Sequence, residues 1–259
     1  MTSVVPDRPT RPRRPLVAIP ALNESQVVGA VVTEVASATA PGTPILVIDD
    51  GSVDATASVA AAVGAIVIQM PFNVGVGGAM RAAFLYASRK GYDAVVQVDA
   101  DGQHDPRYVG ELLDRLDSAD VVVGARFAGV GGYSVRGPRR WAMRLLAAAL
   151  SRITGSRLTD VTSGFRASGP RAVTLFARYY PSEYLGDTVE SLVVAHRAGL
   201  AVEQVGVEMR ARQAGSPSQG PVKAAIYLSR ALLVLALSLT RSRSASRSAD
   251  TSRRREGTP

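Results

Sequence analysis

The sequence has 259 residues, of which 46% are hydrophobic and 20% charged, so it can bury a core and is neither fibrous nor low in complexity. It has no cysteine and only two histidines, which excludes disulfides, cysteine-bound zinc and thiolate nucleophiles and leaves oxygen ligands for any metal. The formal charge of +8 divides into +3 in the first fifteen residues, +4 in the last nineteen and +1 between them. This distribution argues against a nucleic-acid-binding domain surface, and we expect no nucleic-acid partner.

The two ends of the chain have the composition of disordered segments. Residues 1–15 are rich in proline and arginine, which predicts a basic arm, and residues 241–259 predict an arginine-rich tail. The start lacks the apolar stretch of about 7–15 residues that a secretory signal needs. We therefore expect the protein to stay in the reducing cytoplasm.

Short apolar runs alternate with segments of helical length over residues 16–216. This alternation predicts an α/β domain with a mostly parallel, Rossmann-like sheet flanked by helices. A further helix is expected from Pro138 to Ile153. The predicted strands are Leu16–Ile19, Ile45–Ile48, Ala65–Ile68, Ala94–Val98 and Asp120–Val123.

Polar and acidic residues follow the predicted strands. In parallel sheets, ligands bind beyond the carboxyl ends of the strands, so these residues are expected to meet in one crevice. Any single one could instead cap the next helix. The residues are Asn23, Glu24, Asp49, Asp50, Asn73, Asp99, Asp101 and Arg126.

The segment after the fourth run has the chemistry of a cation site. Asp99, Asp101 and Gln103 place two carboxylates and an amide oxygen two residues apart from one another. Oxygen ligands of this kind suit Mg²⁺ or Mn²⁺, which would neutralise the charge of a diphosphate leaving group. The alternative is an acidic surface turn.

Two other loops are candidates for binding or for structure. Asp50 is expected to face the crevice and accept hydrogen bonds from a ribose or a base, while Asp54 caps the following helix. The glycine loop at residues 73–78 allows close approach to a ligand. It lacks the lysine of a phosphate-binding loop, and a tight strand-to-helix turn explains it equally well.

Six motifs in this order resemble a family 2 glycosyltransferase with a GT-A fold, and within it the polyprenyl-phosphate sugar synthases similar to dolichol-phosphate mannose synthase. The resemblance extends from about Leu16 to Ser216. The motifs are Ile19-Pro20-Ala21-Leu22-Asn23-Glu24, Asp49-Asp50-Gly51-Ser52, Asn73-Val74-Gly75-Val76-Gly77-Gly78, Asp99-Ala100-Asp101-Gly102-Gln103-His104, Gly124-Ala125-Arg126 and Thr162-Ser163-Gly164-Phe165-Arg166.

The resemblance implies a role for each matching residue. The metal, Mg²⁺ or Mn²⁺, would be bound by Asp99, Asp101 and Gln103. Pro20, Leu22, Glu24 and Asp50 would hold the nucleoside of a UDP- or GDP-sugar, and the full nucleotide-sugar set is Pro20, Leu22, Glu24, Asp50, Asp99, Ala100 and Asp101.

Three arginines are candidates for binding phosphate as guanidinium groups. Arg126 follows the fifth strand, Arg140 belongs to a basic cluster in the next helix, and Arg212 lies in a loop resembling the acceptor loop of the family. Asp101 and Arg126 are candidate catalytic residues, with Asp187 as the third. Asp187 is either a helix N-cap or a general base.

The acceptor decides whether a base is needed. A hydroxyl acceptor requires one, whereas a lipid phosphate with a second pKa of about 6 is already anionic at neutral pH. The resemblance implies inversion at the anomeric carbon and transfer of a sugar to a polyprenyl phosphate. A family 2 transferase acting on a hydroxyl acceptor is the alternative, and a non-catalytic membrane-binding protein is the rival of another class.

Residues 217–240 predict an amphipathic helix. The longest charge-free run, Ala231–Thr240, has ten residues, too few for a bilayer core that needs about 20. Lys223, Arg230 and Arg241 share one helical face, as in a helix lying on a membrane surface. We expect peripheral attachment at the cytoplasmic face of the plasma membrane, with a possible integral-membrane partner. A final helix packed on the domain is the alternative.

Overall fold

The computed structural model describes residues 13–126, 138–181 and 187–210, without the side chains of 138–142 and 187. All of them belong to one unit, Met1–Pro217. The predicted segments 217–240 and 241–259 lie outside the described residues. Within the described ranges, no helix is both long enough and apolar enough to cross a membrane.

Strands and helices alternate along the described chain except at α6 and α7, which follow each other. The first half contains β1 (Pro15–Ala21), α1 (Val28–Ala38), β2 (Ile45–Asp49), α2 (Thr56–Ala62), β3 (Ile66–Gln69), α3 (Gly75–Lys90), β4 (Ala94–Gln97) and α4 (Val109–Asp114). The second half contains β5 (Val121–Ala125), α5 (Pro138–Thr154), β6 (Arg166–Ser168), α6 (Pro170–Tyr179), α7 (Asp187–Arg197) and β7 (Val202–Gly206). The five predicted strands and the predicted helix at residues 138–153 are confirmed.

The strands form one seven-stranded sheet in the order β3-β2-β1-β4-β6-β5-β7. Neighbours are parallel except at β6, which runs antiparallel to both β4 and β5. The prediction of a mostly parallel α/β sheet is therefore confirmed. The sequence pattern did not indicate β6 or β7, because β6 has three residues and β7 includes a glutamate and a glutamine.

Both faces of the sheet are covered by apolar packing. The buried valines of α1, at residues 28, 31, 32 and 35, recur at helical spacing and share a core with Val17 and Ile19 of β1. On the opposite face α3 packs on α6. There the ring of Phe84 lies 5.1 Å from that of Phe176 and 5.0 Å from that of Tyr180, between centroids. These two layers cover the sheet that carries the loops at its carboxyl edge.

Candidate functional site

The loops after β1 and β2 are bound to each other. The amide of Asn23 donates to the Ser52 hydroxyl (2.9 Å), and the Asn23 side-chain oxygen accepts from the amide of Val53 (2.9 Å). The φ of Asn23 is 55°, in the left-handed region that asparagine tolerates best among residues with a side chain. The amide of Glu24 donates to the Thr56 hydroxyl (2.9 Å), so the loop holding the predicted nucleoside residues is fixed to α2.

Pro20 is buried in β1, whereas Leu22 and Glu24 beyond its end are half-buried. The structure therefore brings Leu22 and Glu24 to the carboxyl edge of the sheet, next to the β2 loop. No described contact assigns them a ligand, and their nucleoside role stays a prediction.

Asp54 acts at the start of α2, as the sequence predicts. Its carboxylate accepts from the amide and hydroxyl of Thr56 and from the amide of Ser25. Burial would raise the pKa of Asp54, but these hydrogen bonds outweigh it and lower the pKa to about 2. Asp54 is thus a structural carboxylate.

Asp50 is buried beneath the glycine loop. Its two carboxylate oxygens accept from the amides of Val74 (2.8 Å) and Gly75 (2.9 Å), where α3 begins. Burial raises the pKa of Asp50 and exceeds the lowering by these amides. Gly51 permits the close packing, since a Cβ there would lie 2.7 Å from the carbonyl carbon of Phe72. The glycine loop is a strand-to-helix turn organised by Asp50.

The acidic loop after β4 has one open and one buried carboxylate. The side chain of Asp99 is 39% exposed, and its Oδ1 accepts from the amide of Gln97 (Nε2, 3.2 Å). Asp101 is buried, and its Oδ1 accepts from the backbone amide of Gln103 (3.0 Å). Ala100 between them is buried. Among the described residues, no group of three or more His, Cys, Asp or Glu side chains is placed to hold a metal ion.

His104 supports this loop from beneath. Its Nδ1 accepts from the backbone amide of Asp99 (2.9 Å), so the proton of the neutral ring resides on Nε2, which lies 3.5 Å from Asp99 Oδ2. The imidazole stacks on Phe165 at 4.8 Å between centroids. The sequence pattern indicated no role for His104, although His104 is the last residue of the acidic motif. The ring fixes the backbone and faces the carboxylate of Asp99.

A cleft of about 70 Å³ opens beside these groups. It brings together three predicted residues, Asp99, Gln103 and Arg126, which come from two different strand ends. The remaining lining residues are His104, Thr162, Ser163, Gly164 and Met209. Gly164 lies directly against Asp99, since a Cβ there would be 3.0 and 3.1 Å from the two carboxylate oxygens.

Arg126 enters the cleft from the end of β5 and is held by Asp160. Its Nε lies 2.6 Å from Asp160 Oδ2 and its Nη2 lies 3.2 Å from Oδ1, while Nη2 also donates to the Thr162 hydroxyl (3.0 Å). Burial would raise the pKa of Asp160, but the hydrogen bond and charge of Arg126 outweigh it and lower the pKa. The sequence motifs did not indicate Asp160, which stands two residues before the motif that begins at Thr162.

The segment after β7 is bound to the acidic loop. Arg210 donates from its backbone to the carbonyl of Gln103 (2.9 Å), and its guanidinium pairs with Glu34 of α1 (2.5 Å) and with buried Asp105 (3.0 Å). Hydrogen bonds from Arg107 lower the pKa of Asp105 despite its burial. The predicted acceptor loop thus begins at a fixed point next to Gln103.

Three predicted residues are not placed by these contacts. Arg140 lies in α5 and Asp187 is the first residue of α7, and the side chains of both lie outside the described ones. Arg212 follows the last described residue. Their roles stay predictions.

A sheet of this order with an acidic loop and a cleft at its carboxyl edge has the GT-A fold. The chain belongs to glycosyl transferase family 2, whose family model matches residues 16–173. It is an enzyme, which confirms the expectation of a transferase over a non-catalytic membrane-binding protein.

Two relatives show the similarity in sequence. A polyprenol monophosphomannose synthase of Mycolicibacterium smegmatis is 36% identical over 173 residues, 62% of this chain and 62% of that protein. An undecaprenyl-phosphate mannosyltransferase of Micrococcus luteus is 33% identical over 212 residues, 78% of this chain and 86% of that protein. The match therefore spans less than two thirds of the first relative and most of the second.

One solved structure shows the similarity in fold. It is glucosyl-3-phosphoglycerate synthase from Mycobacterium tuberculosis in complex with Mn²⁺, uridine-diphosphate and phosphoglyceric acid, with a TM-score of 0.66 and 24% identity. The alignment covers 87% of this chain and 78% of that one. At this identity the likeness concerns the fold alone.

Proposed function

We propose that the protein is an inverting glycosyltransferase that moves one sugar from a nucleotide-diphosphate sugar to a polyprenyl phosphate. The cleft carries this proposal, since its lining includes Asp99, whose carboxylate is open, together with Gln103 and Arg126. Oxygen ligands and a guanidinium in one cleft suit a reaction between two phosphate-bearing substrates. The two relatives are named as a polyprenol monophosphomannose synthase and an undecaprenyl-phosphate mannosyltransferase, and these names support the same acceptor class.

The donor would occupy the half of the edge formed by β1, β2 and β4. Leu22 and Glu24 would bound the nucleoside, and buried Pro20 would shape the floor beneath them. Asp50 would act mainly by holding the start of α3, because both of its oxygens already accept backbone hydrogen bonds. The transfer assay with UDP- and GDP-sugars distinguishes a uridine donor from a guanosine donor.

The acidic loop fits a divalent cation, Mg²⁺ or Mn²⁺. Asp99 and Asp101 would supply carboxylates and Gln103 an amide oxygen, and the missing side chain of Gly164 leaves the space that the Asp99 carboxylate occupies. Two carboxylates are few for a closed site, but such cations commonly complete their shell with substrate phosphates and water. When bound, the cation would neutralise the charge that develops on the leaving diphosphate. The Mn²⁺ and UDP of the similar structure support this assignment.

The acceptor phosphate needs orientation more than deprotonation. At neutral pH a phosphomonoester is largely dianionic, with a second pKa of about 6, so its oxygen attacks without a general base. Arg126 would bind and orient a phosphate, and Arg140 and Arg212 would add cationic donors from α5 and from the loop beyond β7. Asp187 would then act as a helix cap, and it would act as a base only toward a hydroxyl acceptor.

The acceptor is a membrane lipid in this proposal, so the enzyme would work at the cytoplasmic face of the membrane. Residues 217–240 would lie on the lipid surface, and the arginines of 241–259 would add attraction to anionic headgroups. An integral-membrane partner would be a second means of attachment.

A hydroxyl acceptor is the second candidate. It is favoured by the likeness to a synthase of glucosyl-3-phosphoglycerate, whose complex contains phosphoglyceric acid. In that case Asp187→Asn should abolish transfer, whereas with a lipid phosphate it should only weaken it.

The test is a transfer assay with purified full-length protein, Mn²⁺, undecaprenyl or decaprenyl phosphate and a panel of radiolabelled UDP- and GDP-sugars. We expect label in the organic phase with one donor. That label should be lost in Asp99→Asn and Asp101→Asn but retained in Asp114→Asn, an exposed carboxylate at the end of α4. Failure of every donor to give lipid-linked label, with and without added membranes, would overturn the lipid acceptor.

A further inference from the structure

Asp160 and Arg126 form an ion pair at the wall of the cleft. The side chain of Asp160 has no exposed surface, whereas that of Arg126 is 23% exposed and reaches the wall shared with Asp99 and Gln103. Three separate bonds join them, from Nε, from Nη2 and from the backbone amide of Arg126. One edge of the guanidinium is therefore fixed in plane and in rotation.

Asp160 is itself held from two sides. Its Oδ1 accepts from the amide (3.2 Å) and the hydroxyl (3.0 Å) of Thr162. Its backbone amide donates to the side-chain oxygen of Gln204 in β7 (3.2 Å), which also accepts from the amide of Thr159 (2.7 Å). The turn at residues 159–162 is therefore hydrogen-bonded to β7, and this turn holds Arg126 in its orientation.

Stability alone does not explain this arrangement. The cost of burying two charges roughly cancels their attraction, and a well-packed apolar pair of equal volume is commonly as stable. The pair is also formally neutral, so Arg126 brings little net charge to the cleft. What the arrangement provides is a guanidinium whose direction is fixed before any ligand arrives.

We propose that Asp160 is a positioning residue that orients Arg126 to bind a phosphate group in the cleft. This inference rests on the proposed function, and it adds a residue that sequence motifs had not indicated. The phosphate belongs either to the donor diphosphate or to the lipid acceptor. Asp160 acts through Arg126 and does not itself touch the substrate.

The proposal predicts a specific kinetic pattern for Asp160→Asn. The amide keeps the size of the carboxylate but loses the two-point pairing, so Arg126 can turn. We expect kcat to fall by about 10- to 100-fold, as for other misplaced groups. KM should not rise by more than about threefold for either substrate, because the guanidinium of Arg126 is retained and loses only the carboxylate that neutralises it. A rise in the KM of one substrate instead would contradict orientation as the role of Asp160.

A double-mutant cycle separates orientation from a structural role. If Asp160 acts through Arg126, then adding Asp160→Asn to Arg126→Ala should change kcat by less than about twofold. The substrate whose KM responds to Arg126→Ala identifies the phosphate that Arg126 binds. Independent, additive losses would overturn the inference.

The chain offers a matched control at the other end of β5. Asp120 precedes that strand, whereas Arg126 follows it, and Asp120 is buried and pairs with Arg171 (2.9 Å). Asp120→Asn should lower the unfolding temperature as Asp160→Asn does, yet leave kcat unchanged. An equal fall of kcat in both variants would show that loss of a buried pair, and not orientation, causes the defect.

Arg126→Lys keeps the proposal testable if Asp160→Asn does not fold. Lysine retains the charge but cannot make the two-point contact, so we expect a rate within about threefold of that of Arg126→Ala. Wild-type rates in Arg126→Lys would refute the inference. If the wild-type protein transfers sugar to no lipid phosphate, the proposed function fails. The double-mutant cycle of Asp160→Asn and Arg126→Ala is then measured as the affinity for UDP and GDP by calorimetry. Additive losses of nucleotide affinity would then refute the role of Asp160 separately.

Discussion

Replacing Gly164 by alanine moves the Asp99 carboxylate without altering any candidate ligand. A Cβ at this position would lie 2.9 Å from the Gln97 amide nitrogen and 3.0 and 3.1 Å from the Asp99 oxygens. Ordinary contact begins near 3.4 Å, so these atoms must withdraw by roughly 0.3 to 0.5 Å. Gln97 is buried and has little room, so Asp99 takes most of the shift.

That shift exceeds the tolerance of about 0.2 Å for the distances of a metal site. We therefore expect Gly164→Ala to raise the Mn²⁺ concentration for half-maximal transfer and to lower kcat, each by about tenfold. The assay is lipid-linked label measured over a series of Mn²⁺ concentrations, with the unfolding temperature measured in parallel.

Gly110→Ala is the matched control, because a Cβ at that position in α4 meets no atom within 4 Å. It should leave transfer unchanged and stabilise the helix by up to about 1 kcal/mol. Wild-type kcat and Mn²⁺ dependence in Gly164→Ala would refute the argument that the 162–166 turn positions Asp99 for a cation.

Three further predictions concern the scaffold. Asp54→Asn should lower the unfolding temperature at neutral pH, and because the folded pKa is depressed from 3.8 to about 2, the difference from wild type should vanish as pH falls through that range. Asp50→Ala should cost about 1–3 kcal/mol in urea unfolding, because the amide of Val74 loses its acceptor and the amide of Gly75 keeps only the side-chain oxygen of Asn73. Phe84→Ala should cost about 3–5 kcal/mol by the same measurement, because its ring packs on Phe176 between α3 and α6.

Each scaffold prediction has a result that contradicts it. A pH-independent difference for Asp54→Asn would show that its hydrogen bonds do not depend on its charge. Asp50→Ala with wild-type stability would mean that α3 begins without that acceptor. A loss below about 1 kcal/mol for Phe84→Ala would indicate that the helical layer collapses to fill the gap.

The sequence predicted strands correctly where the apolar pattern lay within the strand itself. The runs at residues 16–19, 45–48 and 94–98 are rich in β-branched residues and apolar except at Gln97, which is typical of strands buried on both faces, and they became β1, β2 and β4. β6 was not predicted because it has only three residues, which include Arg166 and show no periodic pattern. It exists because β4 and β5 offer ladder partners on either side.

The candidate site was likewise predictable only in part from the sequence. Because parallel strands end at one edge, the sequence by itself determined that Asp50, Asp99 and Arg126 lie along the carboxyl edge of the sheet. Only the tertiary structure decided that Asp50 is buried on the amides of α3 while Asp99 stays open to the cleft. Only it paired Arg126 with Asp160, 34 residues away. Local patterns encode where strands begin and end, but burial and ion pairing depend on what the remainder of the chain packs against them.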